Sequence, residues 1–577
     1  MTLSKGEIPL QEPLWFGPPD RPLFGWLTRP TNAMARGGVV LAPPIGREAF
    51  SARHALRRLA EMLANAGFVT LRFDYAGTGD SSGNFEDPER DRVWVDGVAD
   101  AAALLRSFGL ESISAVGMRL GATLVGVAAN LHDLHFSSVV LWDPCESGRS
   151  YLRELSALEA LRREDFQVDS SGSVETSEFV FTQQAADELR RLSLSDPRSR
   201  AMAERVLVVA REDRLISEKF RARLEQESAD WETTSEQGPL LDVPAYHAAM
   251  PYRTMERIAQ WLSTSSSPGT TFAASCGNDS VVVAHEKNMC QVVERSEKLG
   301  PRQLFAMVSE PLTGAHGPWI VLLHSVNDDH TGRARQWVEL SRRWAGFGLR
   351  CVRLDLVGYG ESPWSTDQEN RPLFDQAWLD DTIEAVRALS PQDPSNSVFI
   401  GLCSGAYVAV EAALSLRARS VCTINPSVLF DYLHGVSRLE KSRRRSLRAL
   451  AVQLKKLPFK HQWVAATFAQ MGQMVLPSKY SKDVLSKLVD GGTDLLVLAS
   501  TDDLTPCPRT PLLRSIDIRR LGKSKSYEVE FIPGLDHGIH NADGRTRAMA
   551  RIDKHVLGLF AGVPQGTDCG TLSPDES

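Results

Sequence analysis

Several features that would mark a functional class are missing from this chain. No apolar run approaches the roughly 18 uninterrupted residues of a membrane span. The opening MTLSKGEIPLQEP lacks the apolar core of a signal peptide, so the sequence reads as that of a soluble, cytoplasmic protein. The eight cysteines (Cys145, Cys276, Cys290, Cys351, Cys403, Cys422, Cys507 and Cys569) are scattered, with no C-x-x-C pair and no His/Cys cluster at zinc spacing. They read as reduced thiols, with no structural metal and no cofactor. An excess of basic charge is missing too: 65 Lys and Arg face 72 Asp and Glu, a formal net charge of −7. That excludes a chain-wide polyanion binder, and nucleic acid drops out as the default partner. With 42% hydrophobic residues, the 577-residue chain has enough apolar material for sizeable cores and is not wholly disordered.

What is present is written twice. FGPPDRPLFGWLTRP, starting at Phe16, is answered by LGPRQLFAMVSEP, starting at Leu299. VVLAPPIG (39–46) is answered by IVLLHSVN (320–327), and LAEMLANAGFVTLRFDYAGTGDSSG (59–83) by LSRRWAGFGLRCVRLDLVGYGESPW (340–364). AVGMRLGATL (115–124) pairs with FIGLCSGAYV (399–408), and RVLVVAREDRL (205–215) with DLLVLASTDDL (494–504). Matched blocks in one order are the signature of a repeat, here a tandem duplication. Copy one spans 1–264. A Ser/Gly/Thr/Pro-rich linker occupies 265–280, copy two spans 281–563, and 564–577 reads as a flexible tail. Within each copy short β-branched runs alternate with longer amphipathic stretches, which predicts βαβ units and a mainly parallel, doubly wound sheet.

In such sheets reactive groups collect at the carboxyl ends of the strands. In copy two the apolar run SVFI leads into Gly401-Leu402-Cys403-Ser404-Gly405 and then the helical pattern AYVAVEAALSL. This is a nucleophile elbow, G-x-S-x-G, with cysteine at its centre. Small outer residues let the strained turn form, and the central thiol is presented at a helix N-terminus, where positive partial charge favours the thiolate. The backbone N–H of Ser404 is one oxyanion donor. The acid and base are expected in the order nucleophile, acid, base. After LLVLAS comes Asp503, and after YEVEFIPG comes His537, 34 residues later. Asp502 and His540 are their near neighbours and alternatives, and Ser404 is the competing nucleophile.

With these residues in view, the sequence resembles a pair of α/β-hydrolase superfamily domains, each with a helical lid. Copy two is similar to bacterial hydrolases associated with exosortase systems and, more loosely, to short-chain acyl hydrolases. Copy one resembles a sister group, and the cysteine elbow resembles that of dienelactone hydrolases, which implies that Cys can serve as nucleophile. The resemblance implies a second oxyanion donor in the loop after the first parallel strand. Here that loop reads His324-Ser325-Val326-Asn327, with Ser where the family has Gly, so the donor is the N–H of Ser325 or Val326. It also implies that Asp74 and Asp355 brace the turn after their strand.

Copy one keeps Asp213 and, 34 residues later, His247, but its elbow is Gly117-Met118-Arg119-Leu120-Gly121. Arginine does not deprotonate in proteins, so copy one is expected to be catalytically silent, with His247 in a structural role. The Arg119 guanidinium can instead hold a carboxylate or phosphate. In this fold the insertion after the sixth strand, about 143–204 and 427–492, forms the lid. Between Arg438 and Lys460 it gathers nine basic residues, Arg443, Arg444 and Arg445 among them, against the single Glu440. On an acidic chain such a segment suits an anionic partner, an acyl carrier protein or a coenzyme A thioester, or else is a solvated face. The reading is therefore a thioesterase or acyltransferase acting on an ester or thioester through Cys403, His537 and Asp503 in a biosynthetic setting. Its rival is a non-catalytic tandem binding or scaffold protein.

Overall fold

The computed structural model describes residues 9–32, 34–162, 172–176, 179–196, 200–243, 248–264, 269–272, 278–283, 289–315, 317–326, 328–363, 376–426, 487–488, 490–500 and 527–560. The chain divides into two compact units, one of residues 1–286 with 293–296 and the other of 287–292 with 297–577. Asp502, Asp503, His247, the basic segment with Arg443, Arg444 and Arg445, and the 564–577 tail lie outside the described residues. Within the stretch read as linker, Thr270–Thr271 pairs antiparallel with Met34–Ala35.

The first unit holds an eight-stranded sheet. Its strands are β1 (Leu10–Phe16), β2 (Leu23–Arg29), β3 (Gly37–Ala42), β4 (Phe68–Phe73), β5 (Ile113–Met118), β6 (Phe136–Trp142), β7 (Ala203–Arg211) and β8 (Asp230–Thr234). They lie in the order β1-β2-β4-β3-β5-β6-β7-β8. The first two pair antiparallel with each other, β2 runs antiparallel to β4, and from β4 onward the ladder is parallel.

The second unit contains β9 (Leu304–Pro311), β10 (Trp319–Leu323), β11 (Arg350–Leu354), β12 (Ser397–Leu402), β13 (Ser420–Ile424), β14 (Asp494–Ser500) and β15 (Tyr527–Ile532). Taken from β9, their order is β9-β11-β10-β12-β13-β14-β15, the order of β2 to β8 repeated. Here too an antiparallel strand, β9, pairs with the edge of a parallel ladder. The doubly wound α/β architecture expected for both halves is what each unit has.

Parallel strands connected by helices are covered on both faces, so their sequences run continuously apolar. Every residue of β10, β12 and β13 is buried. Side-chain alternation then sends Val321, Leu323, Phe399 and Val421 into one core layer and Ile320, Leu322, Val398, Ile400 and Cys422 into the other. The helix Ser404–Leu416 packs into the first layer, and Gln336–Gly346, through Trp337, Leu340 and Trp344, into the second. The first unit repeats this, with Val40 and Ala42 on one side of β3 and Val39 and Leu41 on the other. Two packed faces hold the strand ends rigidly, and the functional candidates stand on those ends. Among the described residues no helix is long and apolar enough to cross a membrane.

Candidate active site

Cys403 sits between β12 and the helix Ser404–Leu416 with φ 52° and ψ −114°. A non-glycine residue in that conformation costs on the order of 1–3 kcal/mol and persists only where its surroundings enforce it. They do so by close approach. A Cβ on Gly401 would lie 2.2 Å from the Gly405 carbonyl oxygen, and one on Gly405 would lie 2.4 Å from that of His324. The two elbow glycines are thus required by crowding, which lets the helix start directly over the strand end.

His537, in the turn after β15, reaches the thiol: its Nε2 is 3.3 Å from Cys403 Sγ. The turn is held by a residue that the sequence reading did not single out. Asn425, buried at the end of β13 with φ 50°, donates through Nδ2 to the carbonyls of Asp536 (2.9 Å) and His537 (3.0 Å). Its Oδ1 accepts the N–H of Ser500 at 2.8 Å, so one side chain ties the ends of β13 and β14 to the histidine turn. Asp536 accepts the N–H groups of His540 and Asn541. Burial works to raise the Asp536 carboxyl, but the His540 side chain and these backbone donors hold it below the usual carboxylate range. His540 is thereby engaged with Asp536, while His537 is the histidine brought to the thiol. A signal for Asn425 was present: Asn425-Pro426 follows its strand as Asp143-Pro144 follows β6 in copy one.

For a catalytic Cys403–His537 pair Asn425 would act through geometry, since its side chain bonds to the carbonyls of Asp536 and His537 and the Ser500 amide and not to the thiol or the imidazole ring. Replacing it with Ala should lower kcat by about 10- to 100-fold with KM little changed, because a displacement of roughly 1 Å suffices for such a loss. Asn425→Asp, which keeps the Ser500 acceptor but loses the two donors, should fall equally. Steady-state kinetics showing kcat within twofold for both variants would remove this positioning role.

The loop after β10 carries the other oxyanion candidates. The Val326 N–H donates to Ser404 Oγ at 2.9 Å, so an oxyanion would have to take that donor from the Ser404 hydroxyl. Ser325 Oγ donates to Asp328 at 2.6 Å. The Ser404 amide is the first of its helix, where N–H groups have no intrahelical acceptor. His324 is fully enclosed: its Nε2 accepts the Leu356 N–H at 3.0 Å, so the proton resides on Nδ1, which donates to the Ser325 carbonyl at 2.6 Å. Burial pushes its pKa below the ordinary value, so it is a neutral brace for the loop. Asp355 accepts from the His330 and Glu361 amides and from His330 Nδ1. Asp74 accepts the Asp80 amide at 3.0 Å. Both aspartates therefore tie turns together.

In the first unit Arg119 occupies the elbow with φ 54° and ψ −121°, the same backbone as Cys403. The expectation that its guanidinium holds an external anion is corrected. Nε donates to Glu48 at 2.9 Å, Nη2 to Glu154 at 2.7 Å, and Asp143 lies 3.5 Å from Nη1. The guanidinium, only 2% exposed, has its carboxylates from its own chain. Asp213, expected where an acid would stand, pairs with Arg211 at 2.8 Å, which holds it down to about 2. Among the described residues no group of three or more His, Cys, Asp or Glu gathers as a metal site would.

Residues 316–551 match the model of the alpha/beta hydrolase family. Similar solved structures include a carboxyl esterase from Bacillus coagulans, 13% identical, with 47% of this chain and 99% of that one covered and a TM-score of 0.32. An esterase from Pyrococcus furiosus is 12% identical, with 46% and 91% covered and a TM-score of 0.31. An epoxide hydrolase from Vigna radiata is 13% identical, with 47% and 98% covered and a TM-score of 0.30. No curated protein matches the chain.

Proposed function

We propose, from the match of residues 316–551 to the model of the alpha/beta hydrolase family, that the second unit carries out acyl transfer through Cys403, as a thioesterase or acyltransferase. The observation that supports this most is the 3.3 Å approach of His537 Nε2 to the thiol at the strained elbow. His537 Nε2 takes the thiol proton as Sγ bonds to the carbonyl carbon of an ester or thioester, and the carbonyl electrons move onto oxygen. The Ser404 amide, with Ser325 or Val326, holds that oxyanion. Collapse breaks the bond to the leaving alcohol or thiol, which takes the proton back from His537. Water, an amine or an alcohol then attacks the enzyme thioester with His537 as base. Asp503 is the proposed orienting acid. A thioester intermediate favours onward transfer to an amine or thiol, which is why acyl transfer is preferred to plain ester hydrolysis. An acyl carrier protein or coenzyme A donor is proposed on the basic sequence from Arg438 to Lys460.

The first unit is proposed to be silent in this chemistry. Its elbow side chain is an arginine engaged by three carboxyl groups, and no nucleophile occupies the elbow position.

Incubation with a panel of acyl thioesters followed by intact mass measurement and peptide mapping tests the reading. One acyl group on Cys403, formed and lost on the timescale of turnover, is expected. If no member of the panel leaves an acyl group and none is turned over, the non-catalytic scaffold reading takes its place.

A further inference from the structure

The turn that follows β12 and the loop that follows β10 meet through one side chain. The Val326 N–H donates to Ser404 Oγ at 2.9 Å, while the Ser404 hydroxyl, on a residue only 1% exposed, has no acceptor for its own proton among the described residues. A hydroxyl is a donor as well as an acceptor, and buried polar groups ordinarily find partners, so this O–H is open to an incoming acceptor. It stands on the residue after Cys403, whose amide is already an oxyanion candidate, and it touches the loop that carries the others.

The loop around it is pinned. Ser325 Oγ donates to Asp328, Arg333 lies 2.9 Å from the same carboxylate, and His330 is bound to Asp355 through both its amide and its ring. The close approach of Gly405 to the His324 carbonyl fixes the helix start against this loop as well. What can change at low cost is the Ser404 hydroxyl, which turns about a single side-chain torsion.

The two halves of the chain supply an independent contrast. Aligning AVGMRLGATL with FIGLCSGAYV puts Leu120 opposite Ser404, and aligning VVLAPPIG with IVLLHSVN puts Pro44 opposite Ser325. Leucine has no hydroxyl and proline no N–H. The half with arginine at its elbow therefore lacks the Ser404 hydroxyl and the Ser325 amide together.

Resting on the acyl-transfer reading of the second unit, we propose that Ser404 Oγ is a catalytic hydrogen-bond donor that exchanges partners during the reaction. In the free enzyme it accepts the Val326 N–H and keeps that donor occupied. As Cys403 Sγ bonds to the carbonyl carbon and the carbonyl electrons move onto oxygen, the oxyanion takes over the Val326 N–H. The freed hydroxyl then donates to the same oxygen. No proton changes owner in this exchange. Hydrogen bonds to a charged oxygen are roughly twice as strong as neutral ones, so the exchange is driven by the charge that forms in the transition state.

Two probes on the full chain test this. An octylthio trifluoromethyl ketone adds to the thiol and leaves an oxyanion, whereas iodoacetamide alkylates the thiol without forming one. Ser404→Ala should weaken the ketone and lower kcat on an acyl thioester by about 10²-fold, with KM little changed, as for loss of one oxyanion donor. Its Cys403 should still be alkylated by iodoacetamide within twofold of the wild-type rate, since the thiol and His537 are untouched. Ser404→Thr, which keeps the hydroxyl, should bind the ketone within tenfold of wild type. An unchanged or faster Ser404→Ala would mean that the hydroxyl merely blocks the Val326 amide. An equal loss in alkylation, or Ser404→Thr as weak as Ser404→Ala, would reduce it to a structural group. Each of these results overturns the proposal while wild-type turnover keeps the acyl-transfer reading in place. A wild-type chain that neither turns over thioesters nor binds the ketone overturns both.

Discussion

Replacing Cys403 by alanine is expected to lower turnover of a responsive acyl thioester by about 10⁴- to 10⁶-fold and to remove the acyl adduct, with the fold retained. The magnitude is that of deleting a nucleophile whose partners act with it as a unit. Cys403 is half-buried and its Sγ meets only His537 at hydrogen-bonding distance among the described residues, so the loss should be chemical. His537→Ala should fall by a comparable factor, and the double variant little further, because in the proposed mechanism the thiol and the imidazole share one proton-coupled step. Cys403→Ser should retain part of the rate, its hydroxyl being within reach of the same base. Single-turnover kinetics with purified variants decides the matter: Cys403→Ala turning over within tenfold of wild type would take the thiol out of the mechanism.

The second large effect concerns stability in the first unit. Arg119→Met removes the guanidinium from among Glu48, Asp143 and Glu154 and leaves buried carboxyls facing one another. Breaking a buried pair from one side costs about 3–5 kcal/mol, chiefly through the charge left behind. The expected readout is amide hydrogen exchange in the helix Leu120–Leu131, which begins at Arg119. Its protection should fall by roughly 10²- to 10³-fold, since about 1.4 kcal/mol corresponds to a decade. Adding Glu48→Gln and Asp143→Asn should restore a substantial part, because amides in place of the acids no longer repel. A change of less than threefold in Arg119→Met would mean that the arginine contributes nothing net at the elbow, and its ion pairs would be incidental.

Local chemistry along the chain determined much of this protein. Alternating apolar runs and amphipathic stretches prescribe strand, helix and parallel sheet, because side-chain period is a property of the backbone alone. Gly401 and Gly405 around Cys403 mark the elbow, because the crowding that excludes a Cβ there arises within a few residues of turn and the strand beside it. The same rule marks Arg119 between Gly117 and Gly121, and its chemistry rules it out as a nucleophile from composition alone. What an elbow side chain meets is a different kind of question. Cys403 and His537 are 134 residues apart, and only the packing of β12 beside β13, β14 and β15 brings them to 3.3 Å. Arg119 takes Glu48, 71 residues before it, and Glu154, 35 after it, so the open anion site read from its charge is closed by partners that spacing does not reveal. Asn425 follows its strand as an ordinary turn residue, yet its three hydrogen bonds join segments more than 70 residues away. Conformational rules act on neighbours in sequence, whereas charge compensation and hydrogen-bond satisfaction act on neighbours in space, and the folded sheet chooses those.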